Sequence, residues 1–286
     1  MWRSVKASVR GVVRRYGPPR RGFYTRYKYI DSAPWVVDRY DEIGHLFKGF
    51  EADLHRFLDL IQSFEASFAA SATGPDALEW RNHWIPPLDG AAIYAVIAGM
   101  KPARVIEVGS GISTHLMARA LRDHGTGTRI TCIDPQPRRA IEALPVTIER
   151  RILSAADAAL TDTLAAGDVL FIDSSHFLQP GFDVDIVLNR LLPRLAEGVI
   201  VHFHDVFLPY SYPANWERRR YNEQNALASL IYGGGFDLLF ASNYAARDMA
   251  GRVRALCPGF PMLRSSAGGS LWLIKRGPAY RPAPGT

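Results

Sequence analysis

Hydrophobic side chains recur at spacings of three and four residues between residues 38 and 70. That period matches the α-helix, so the pattern predicts helical structure with one buried face. The apolar positions that define it are Leu46, Phe50, Leu54, Phe57, Leu58, Ile61 and Phe64. A further helix is predicted over residues 89–100, with Asp89 capping its first turn and Pro102 just beyond its end.

Beyond Pro102 the pattern changes to short apolar runs that alternate with helical segments. The runs predict strands over residues 104–108, 129–133, 146–152, 168–172, 199–203, 236–241 and 270–274. Helices are predicted between them over residues 113–122, 137–144, 157–164, 181–195 and 222–231, with Asn222 as the cap of the last. The connection 242–269 shows no clear helix.

Strands that alternate with helices predict a parallel sheet covered by helices on both faces. A last connection without a helix suggests that the final strand lies antiparallel beside its predecessor. The predicted fold is therefore α/β: a doubly wound, mostly parallel seven-stranded sheet with an antiparallel last strand and an N-terminal helical extension. We predict four parts. Residues 1–30 form a basic arm whose composition allows disorder, and residues 31–100 form a helical cap. The α/β domain covers residues 101–276, and residues 277–286 form a tail.

Charge is distributed unevenly along the chain. The formal net charge is +6, yet residues 1–30 carry nine Lys or Arg and no acid. The rest of the chain is therefore slightly acidic, which argues against nucleic acid as a partner of the main domain. The arm is interpreted as a solvated extension, a helix that contacts a membrane surface or an anionic partner, or a transit peptide. The two cysteines, Cys132 and Cys257, lack metal-ligand or disulfide spacing and fit a reducing cytoplasm.

A glycine-containing turn follows the first predicted strand. Gly109 and Gly111 allow a tight turn and a close approach of a ligand to the backbone. The helix that starts after them offers unpaired N–H groups. A dinucleotide-binding turn has a third glycine where this chain has Thr114, so that fingerprint is broken.

Two acidic residues indicate which ligand this turn binds. Glu107 lies two residues before Gly109, where a turn that binds S-adenosylmethionine has an acid. Asp134 ends the second strand and can accept hydrogen bonds from ribose hydroxyls, although it could equally cap a helix ahead of Pro135. Glu107, Asp134 and the missing third glycine together favour S-adenosylmethionine over a dinucleotide.

The ends of the fourth and fifth strands carry titratable side chains. These are Asp173 and His176 after the fourth strand and His204 and Asp205 after the fifth. Carboxyl ends of neighbouring strands meet at one edge of a sheet, so these four are expected to face one volume. Methyl transfer to a hydroxyl needs in-line alignment and removal of its proton, which a base or a divalent metal can provide. His202 is interpreted as a structural histidine.

The segments EVGSGIST, IDP, FIDSSHF and GVIVHFHD together resemble the class I S-adenosylmethionine-dependent methyltransferases. More narrowly, they resemble the branch that includes metal-dependent O-methyltransferases of macrolide and other natural-product sugars, over residues 84–275. The motifs predict the cofactor-binding residues Glu107, Gly109, Ser110, Gly111, Ser113, Thr114, Asp134 and Asp173. Ser154 is added by its position alone.

The resemblance also implies roles for the strand-end cluster. His176 takes the place of the general base, and Asp173 and Asp205 take places of metal ligands. His204 stands where the family has an acid, which shifts the preference of such a site from Mg²⁺ towards softer ions. A metal-free site with His176 or His204 as the base is the alternative.

The acceptor is expected to be a small hydroxylated molecule such as a sugar. Aromatic residues follow the fifth strand, where loops determine substrate choice. The candidates for acceptor binding are Tyr210, Tyr212, Trp216 and Arg218. A lid or a contact in a homo-oligomer is the alternative interpretation of this segment. The rival functions are an NAD(P)-dependent oxidoreductase and a non-catalytic binding protein with the same fold.

Overall fold

The structure is a computed structural model, and it describes residues 37–74, 76–265 and 268–280. The predicted basic arm at residues 1–30 and the last six residues of the predicted tail lie outside this part of the chain. Within the described residues, no helix combines the length and the apolar character needed to span a bilayer.

Seven strands form one sheet. They are β1 (Arg104–Val108), β2 (Arg129–Ile133), β3 (Thr147–Glu149), β4 (Val169–Ile172), β5 (Ile200–Phe203), β6 (Phe236–Ala241) and β7 (Leu271–Lys275). Their order is β3-β2-β1-β4-β5-β7-β6. β7 runs antiparallel to both β5 and β6, and the other pairs are parallel. The predicted fold class is confirmed.

Helices lie before and between these strands. They are α1 (Asp41–Lys48), α2 (Glu51–Gln62), α3 (Glu65–Ser71), α4 (Pro87–Ala95), α5 (Ile112–His124), α6 (Ala158–Thr161), α7 (Asp183–Ile186), α8 (Gln224–Tyr232), α9 (Ser242–Asp248) and α10 (Ala250–Ala255). Two helices continue in other helical forms: α4 as a π-helix over Val96–Met100, and α7 as a π-helix and a 3₁₀ turn up to Arg194. Short 3₁₀ helices cover Ala155–Asp157, Ala214–Arg219 and Pro261–Ser265.

The order of the strands determines where a ligand can sit. The chain moves outward from β1 through β2 to β3 and then returns to place β4 on the other side of β1. In open α/β sheets, ligands bind outside the carboxyl ends of the strands where the direction reverses. Here that point lies between β1 and β4.

The helices α1 to α4 pack on the sheet and share its hydrophobic core. Phe57 of α2 stacks on Phe240 of β6, with ring centroids 4.5 Å apart and planes 11° apart. Phe68 of α3 packs edge-on against Trp80 and against Tyr94 of α4. Because all five rings are buried, these helices form one continuous core with the sheet.

Several predicted elements differ from the structure. Residues 137–144 form turns, not a helix, because the Asp134 side chain and Ser110 carbonyl bind the backbone N–H groups of Gln136 and Arg138. The connection 242–269 contains α9 and α10, and the strand predicted over 146–152 shortens to β3.

Two predicted helix caps are also wrong. α4 begins at Pro87, and the carboxylate of Asp89 instead accepts hydrogen bonds from the N–H groups of Gly269 and Ser270. Asn222 lies two residues before α8, and its side chain instead bridges to the backbone of Leu178.

Candidate active site

The glycine turn, residues 109–114, joins β1 to α5 and is held from inside by side chains. Gly109 has φ +80, and a Cβ placed there would lie 1.9 Å from the carbonyl oxygen of Asp173. Only glycine therefore lets the end of β1 approach the end of β4 this closely. Thr114 Oγ1 accepts a hydrogen bond from the N–H of Gly111 at 3.0 Å, so the threonine replaces the missing third glycine with a contact of its own.

Glu107 of β1 organises this turn from below. Its carboxylate is fully buried and accepts hydrogen bonds from Ser113 Oγ at 2.6 Å, Thr114 Oγ1 at 2.7 Å and Cys132 Sγ at 3.2 Å. Burial raises the pKa of Glu107 to about 7, although these three hydrogen bonds lower it. The side chains of Glu107, Ser113 and Thr114 thus bind one another. They affect ligand binding indirectly, because they fix the conformation of the turn.

Asp134 connects β2 to the same turn. Its Oδ2 accepts the Ser110 N–H at 2.7 Å and the Ser110 hydroxyl at 3.1 Å. Its Oδ1 accepts the N–H of Gln136 at 2.7 Å. A carboxylate offers about four lone-pair sites, so Asp134 retains capacity for a ligand hydroxyl.

A cleft of about 300 Å³, open to solvent, lies over the carboxyl ends of β1, β2 and β4. We call it the strand-end cleft. Gly109, Ser110 and Asp134 line one side of it, and Asp173 and Ser174 line another. Among the described residues, the buried hydroxyl of Ser174 has no hydrogen-bond partner, as expected of a group that faces a ligand.

The apolar end of this cleft was not predicted. Ile152 and Leu153 line it, and Ile152 is 72% exposed, which is unusual for a large aliphatic side chain. Ser154, predicted beside the adenine by position, instead bonds Asp157 through its N–H and its hydroxyl. The sequence carries no signal for this surface, because the exposure of Ile152 is visible only in the folded chain.

His176 lies at the centre of the strand-end cluster. It is 2% exposed, and its Nδ1 lies 2.9 Å from Oε2 of Glu223, which is itself buried. Its Nε2 lies 3.5 Å from Oδ1 of Asp173 and 3.4 Å from Oδ2 of Asp205. Because a carboxylate only accepts hydrogen bonds, Glu223 holds the proton on Nδ1 and turns Nε2 towards the two aspartates.

His204 lies on the other side of these aspartates. Its Nδ1 is 3.4 Å from Oδ1 of Asp205 and 3.8 Å from Oδ1 of Asp173, and its Nε2 is 3.4 Å from Oδ2 of Asp89. The structure thus brings all four predicted catalytic residues together. Their partners Glu223 and Asp89 were not among the predicted site residues.

The charged groups in this cluster shift one another's pKa values. Burial alone would lower the pKa of His176, but Asp173 and Glu223 raise it well above its ordinary value. Burial would likewise lower the pKa of His204, and the charge of Asp173 and the contact with Asp89 raise it to about 9. Against its own burial, the positive charge of His204 lowers the pKa of Asp173. The carboxylates therefore favour the protonated form of both imidazoles, while burial raises the pKa of Asp205 and of Glu223.

His202 lies outside this cluster. It is fully buried, stacks on Phe171 with ring centroids 3.8 Å apart, and lies with Nε2 3.0 Å from Ser270 Oγ. Burial lowers its pKa well below the ordinary value, so it stays neutral. This environment is that of a structural histidine.

Three of the described residues could hold a cation. Asp173, His176 and Asp205 each offer a ligand atom, and these atoms lie within 4.8 Å of one another. The expected ligand set was Asp173, His204 and Asp205. The observed group contains His176 where the expected set has His204. An imidazole that donates its other N–H to a carboxylate, as His176 does to Glu223, is the usual form of a metal-bound histidine.

The aromatic segment after β5 divides into two parts. Trp216 packs edge-on against Phe207 and Tyr221, and Tyr212 also packs against both. Tyr221 packs on the ring of His176, with centroids 4.5 Å apart. These four rings form what we call the aromatic wall. Tyr221 was not among the predicted site residues.

Tyr210 does not contact the rings of the wall and is held by other residues, so its role at the acceptor stays a prediction. Its hydroxyl bonds Asp248 at 3.0 Å, and its ring lies under the guanidinium of Arg247 at 4.3 Å. It also pairs with Arg39 in an isolated antiparallel bridge. The side chain of Arg218 is outside the described part of the chain.

Comparison with known proteins identifies a similarity in the central part of the chain. Residues 106–206 match the family model of a methyltransferase domain, from the middle of β1 to just beyond β5. This part of the chain is therefore similar to methyltransferase domains. No curated protein matches the chain.

Two solved structures illustrate what the chain resembles. An SAH-bound methyltransferase of Podospora anserina is 17% identical, with 86% of this chain and 100% of that chain covered and a TM-score of 0.42. An O-methyltransferase from Bacillus cereus in complex with SAH is 13% identical, with 76% and 90% covered and a TM-score of 0.42.

The close approach of Gly109 to Asp173 predicts the effect of a methyl group there. Gly109→Ala should destabilise the fold more than Gly127→Ala, because both have positive φ but nothing lies within 4 Å of Gly127. The control should lose about 1–2 kcal/mol from its left-handed backbone alone. Urea titration of both variants measures the difference, and equal losses would show that the approach is looser than described.

The raised pKa of Glu107 predicts a pH dependence of stability. The folded state keeps this carboxyl protonated up to about pH 7, whereas the ordinary pKa is 4.5. The folded state thus binds more protons across this window, and stability falls as pH rises through it. The free energy of unfolding of wild type, relative to Glu107→Gln, should decline from pH 4.5 to 7 and then level off. A difference that rises over this window contradicts the assignment.

Proposed function

We propose that the protein transfers the methyl group of S-adenosylmethionine to a hydroxyl oxygen of a small molecule, with His176 as the base. The observation that carries this proposal is the placement of His176 between Asp173 and Asp205, with Nδ1 held by Glu223 at 2.9 Å. This group lies at the carboxyl ends of β4 and β5, beside the glycine turn. Both parts of a methyl transfer, a donor site and a base, therefore meet at one edge of the sheet.

The strand-end cleft supports S-adenosylmethionine as the donor. We assign Asp134 to the ribose and the exposed Ile152 to one face of the adenine, and the unpaired hydroxyl of Ser174 faces the same space. Thr114 disfavours a dinucleotide, because its side chain fills the place of the third glycine and is bonded to Glu107. When bound, S-adenosylmethionine supplies a methyl group on a positively charged sulfur.

His176 acts as the base that deprotonates the acceptor. Glu223 keeps the proton on Nδ1, so the lone pair of Nε2 is available to the acceptor hydroxyl. As the bond from oxygen to the methyl carbon forms and the bond from sulfur to that carbon breaks, the hydroxyl proton passes to Nε2. Asp173 and Glu223 raise the pKa of His176, whereas the positive charge on the bound donor lowers it and favours the neutral base.

The aromatic wall supports a sugar or a flat ring as the acceptor. Tyr212, Trp216 and Tyr221 present aromatic surface next to His176. Aromatic faces bind the apolar faces of sugars and planar rings. An acceptor hydroxyl that reaches His176 would therefore belong to a ring held against the wall.

A second candidate is metal-assisted transfer. Asp173, His176 and Asp205 have the donor atoms and spacing to hold a divalent cation, which would lower the pKa of a bound hydroxyl. We favour the metal-free form, because Glu223 orients Nε2 of His176 to accept the proton directly. We also infer a reducing compartment such as the cytoplasm, supported by the free, buried thiols of Cys132 and Cys257.

Replacing the base tests the proposed function. His176→Asn keeps an N–H towards Glu223 but removes the proton acceptor, so the rate should fall by about 10²–10⁴. Transfer of labelled methyl to a panel of hydroxylated sugars and phenols measures it, with SAH affinity as the check on folding. Tyr210→Phe, on the far side of the loop, should leave the rate unchanged. A full rate in His176→Asn, or NAD(P) binding without SAH binding, overturns the proposal.

Chelation separates the two candidate mechanisms. We expect the rate to survive EDTA and the purified protein to hold no stoichiometric metal, because Nε2 of His176 accepts the proton without a metal. Loss of activity in EDTA that Mn²⁺ restores would assign Asp173, His176 and Asp205 to a metal instead. Metal analysis of the Asp173→Asn variant is the control for adventitious ions.

A further inference from the structure

Arg219 lies at the end of the 3₁₀ helix Ala214–Arg219, beside the aromatic wall. The central carbon of its guanidinium is 3.7 Å from the centroid of the Trp216 ring and 5.7 Å from that of Tyr221. A guanidinium within about 6 Å of an aromatic centroid is attracted by the negative face of the ring. The aromatic wall therefore carries a positive charge at a defined place.

The N–H groups of this guanidinium are available to a ligand. Stacking on the indole uses the face of the group, whereas its five N–H bonds lie in its plane. Arg219 forms no hydrogen bond or ion pair with any residue in the part of the chain that the structure describes. The residue is also exposed, so a ligand can reach it from solvent.

Arg139 shows the other use of a stacked arginine in this protein. It lies over the ring of Trp84 at 5.3 Å, and its guanidinium also donates to Oε2 of Glu79 at 2.7 Å. There the protein itself supplies the acid. At Arg219 none of the described residues does so, and an anionic group of a ligand can take that place.

Arg219 and the proposed base contact the same ring. Tyr221 packs on the ring of His176 with centroids 4.5 Å apart, and the guanidinium of Arg219 lies over the same tyrosine. Burial raises the pKa of Asp205, and the positive charge of Arg219 is among the charges that oppose this rise. A hydroxyl at His176 and an anionic group at Arg219 can therefore belong to one small molecule.

Charge determines which way round such a molecule binds. Nε2 of His176 lies 3.5 Å from Asp173 and 3.4 Å from Asp205, so an anionic group placed against it would face two carboxylates. Arg219 is exposed, whereas His176 is buried. The favourable orientation therefore has the hydroxyl inward at His176 and the anionic group outward at Arg219.

We propose that the methyl acceptor carries a carboxylate or phosphate group, which Arg219 binds while the ring of the acceptor lies against the aromatic wall. The inference rests on the proposed function and narrows its acceptor from hydroxylated small molecules to anionic ones. Carboxylate and phosphate both present paired oxygens that match the fork of a guanidinium. Arg219 thus selects the acceptor, and binding of the donor does not depend on it.

Titrations of three phenols into SAH-saturated protein, followed by NMR of the ligand, test this inference. The probes are 4-methylphenol, 4-hydroxybenzoate and 4-hydroxyphenyl phosphate, which share a ring and a hydroxyl and differ in charge. Wild type should bind one of the anions about tenfold more tightly than 4-methylphenol, a usual contribution of a hydrogen bond to a charged group. The anion that binds more tightly identifies the acidic group of the acceptor.

Arg219→Gln should remove this preference for the anion. Its affinities for SAH and for 4-methylphenol should stay within about threefold of wild type, which also shows that the variant is folded. Arg247→Gln is the matched control, because it removes another exposed arginine, one that lies over the ring of Tyr210 at 4.3 Å. This control should keep the preference for the anion.

The inference is overturned if wild type shows no preference for either anion, or if Arg219→Gln keeps the preference. An equal loss in Arg247→Gln overturns it too, because the effect would then come from general charge. Failure of all three phenols to bind would show that the wall does not hold a ring, with the same consequence. Wild type that does not bind SAH overturns the proposed function itself.

Discussion

The carboxylate of Glu107 connects the sheet to the ligand-binding turn. It is fully buried at the end of β1 and accepts hydrogen bonds from Ser113, Thr114 and Cys132. A buried carboxylate without partners is costly, so these three contacts strongly favour one arrangement of the turn and the start of α5. The conformation of the glycine turn, and with it the approach of Gly109 to Asp173, depends on this group.

The second half of the site depends on the order of the strands. Because β4 lies beside β1, the N–H of Asp173 bonds the carbonyl of Val108 and places the Asp173 side chain next to the turn. β5 brings His204 and Asp205 alongside. His176 and Asp205 both have positive φ, at 62° and 57°, which is uncommon for residues other than glycine. Such strain is often found where side chains are held for chemistry.

Much of this fold follows from the sequence, and the bounds of β1, β2 and β6 match their predicted ranges. These strands are apolar runs bounded by turn residues, a pattern that depends on burial alone. The predicted helix at residues 137–144 is absent, and the N–H of Arg138 instead bonds the carbonyl of Ser110 in the glycine turn, a tertiary contact that the local pattern does not show.

The predicted catalytic residues come together, because the carboxyl ends of adjacent strands must meet. The residues that sequence reasoning missed act through distant contacts. Glu223 is 47 positions from His176 and resembles an ordinary acid in the first turn of a helix. Tyr221 lies in a segment without periodicity, so only the folded chain shows what it faces.

The most direct test of the account is a crystal structure with SAH bound. The account predicts that the homocysteine lies against the glycine turn, that the ribose contacts Asp134, and that the sulfur faces the group formed by Asp173, His176 and Asp205. SAH bound elsewhere, or in the cleft with its sulfur turned away from His176, would contradict it.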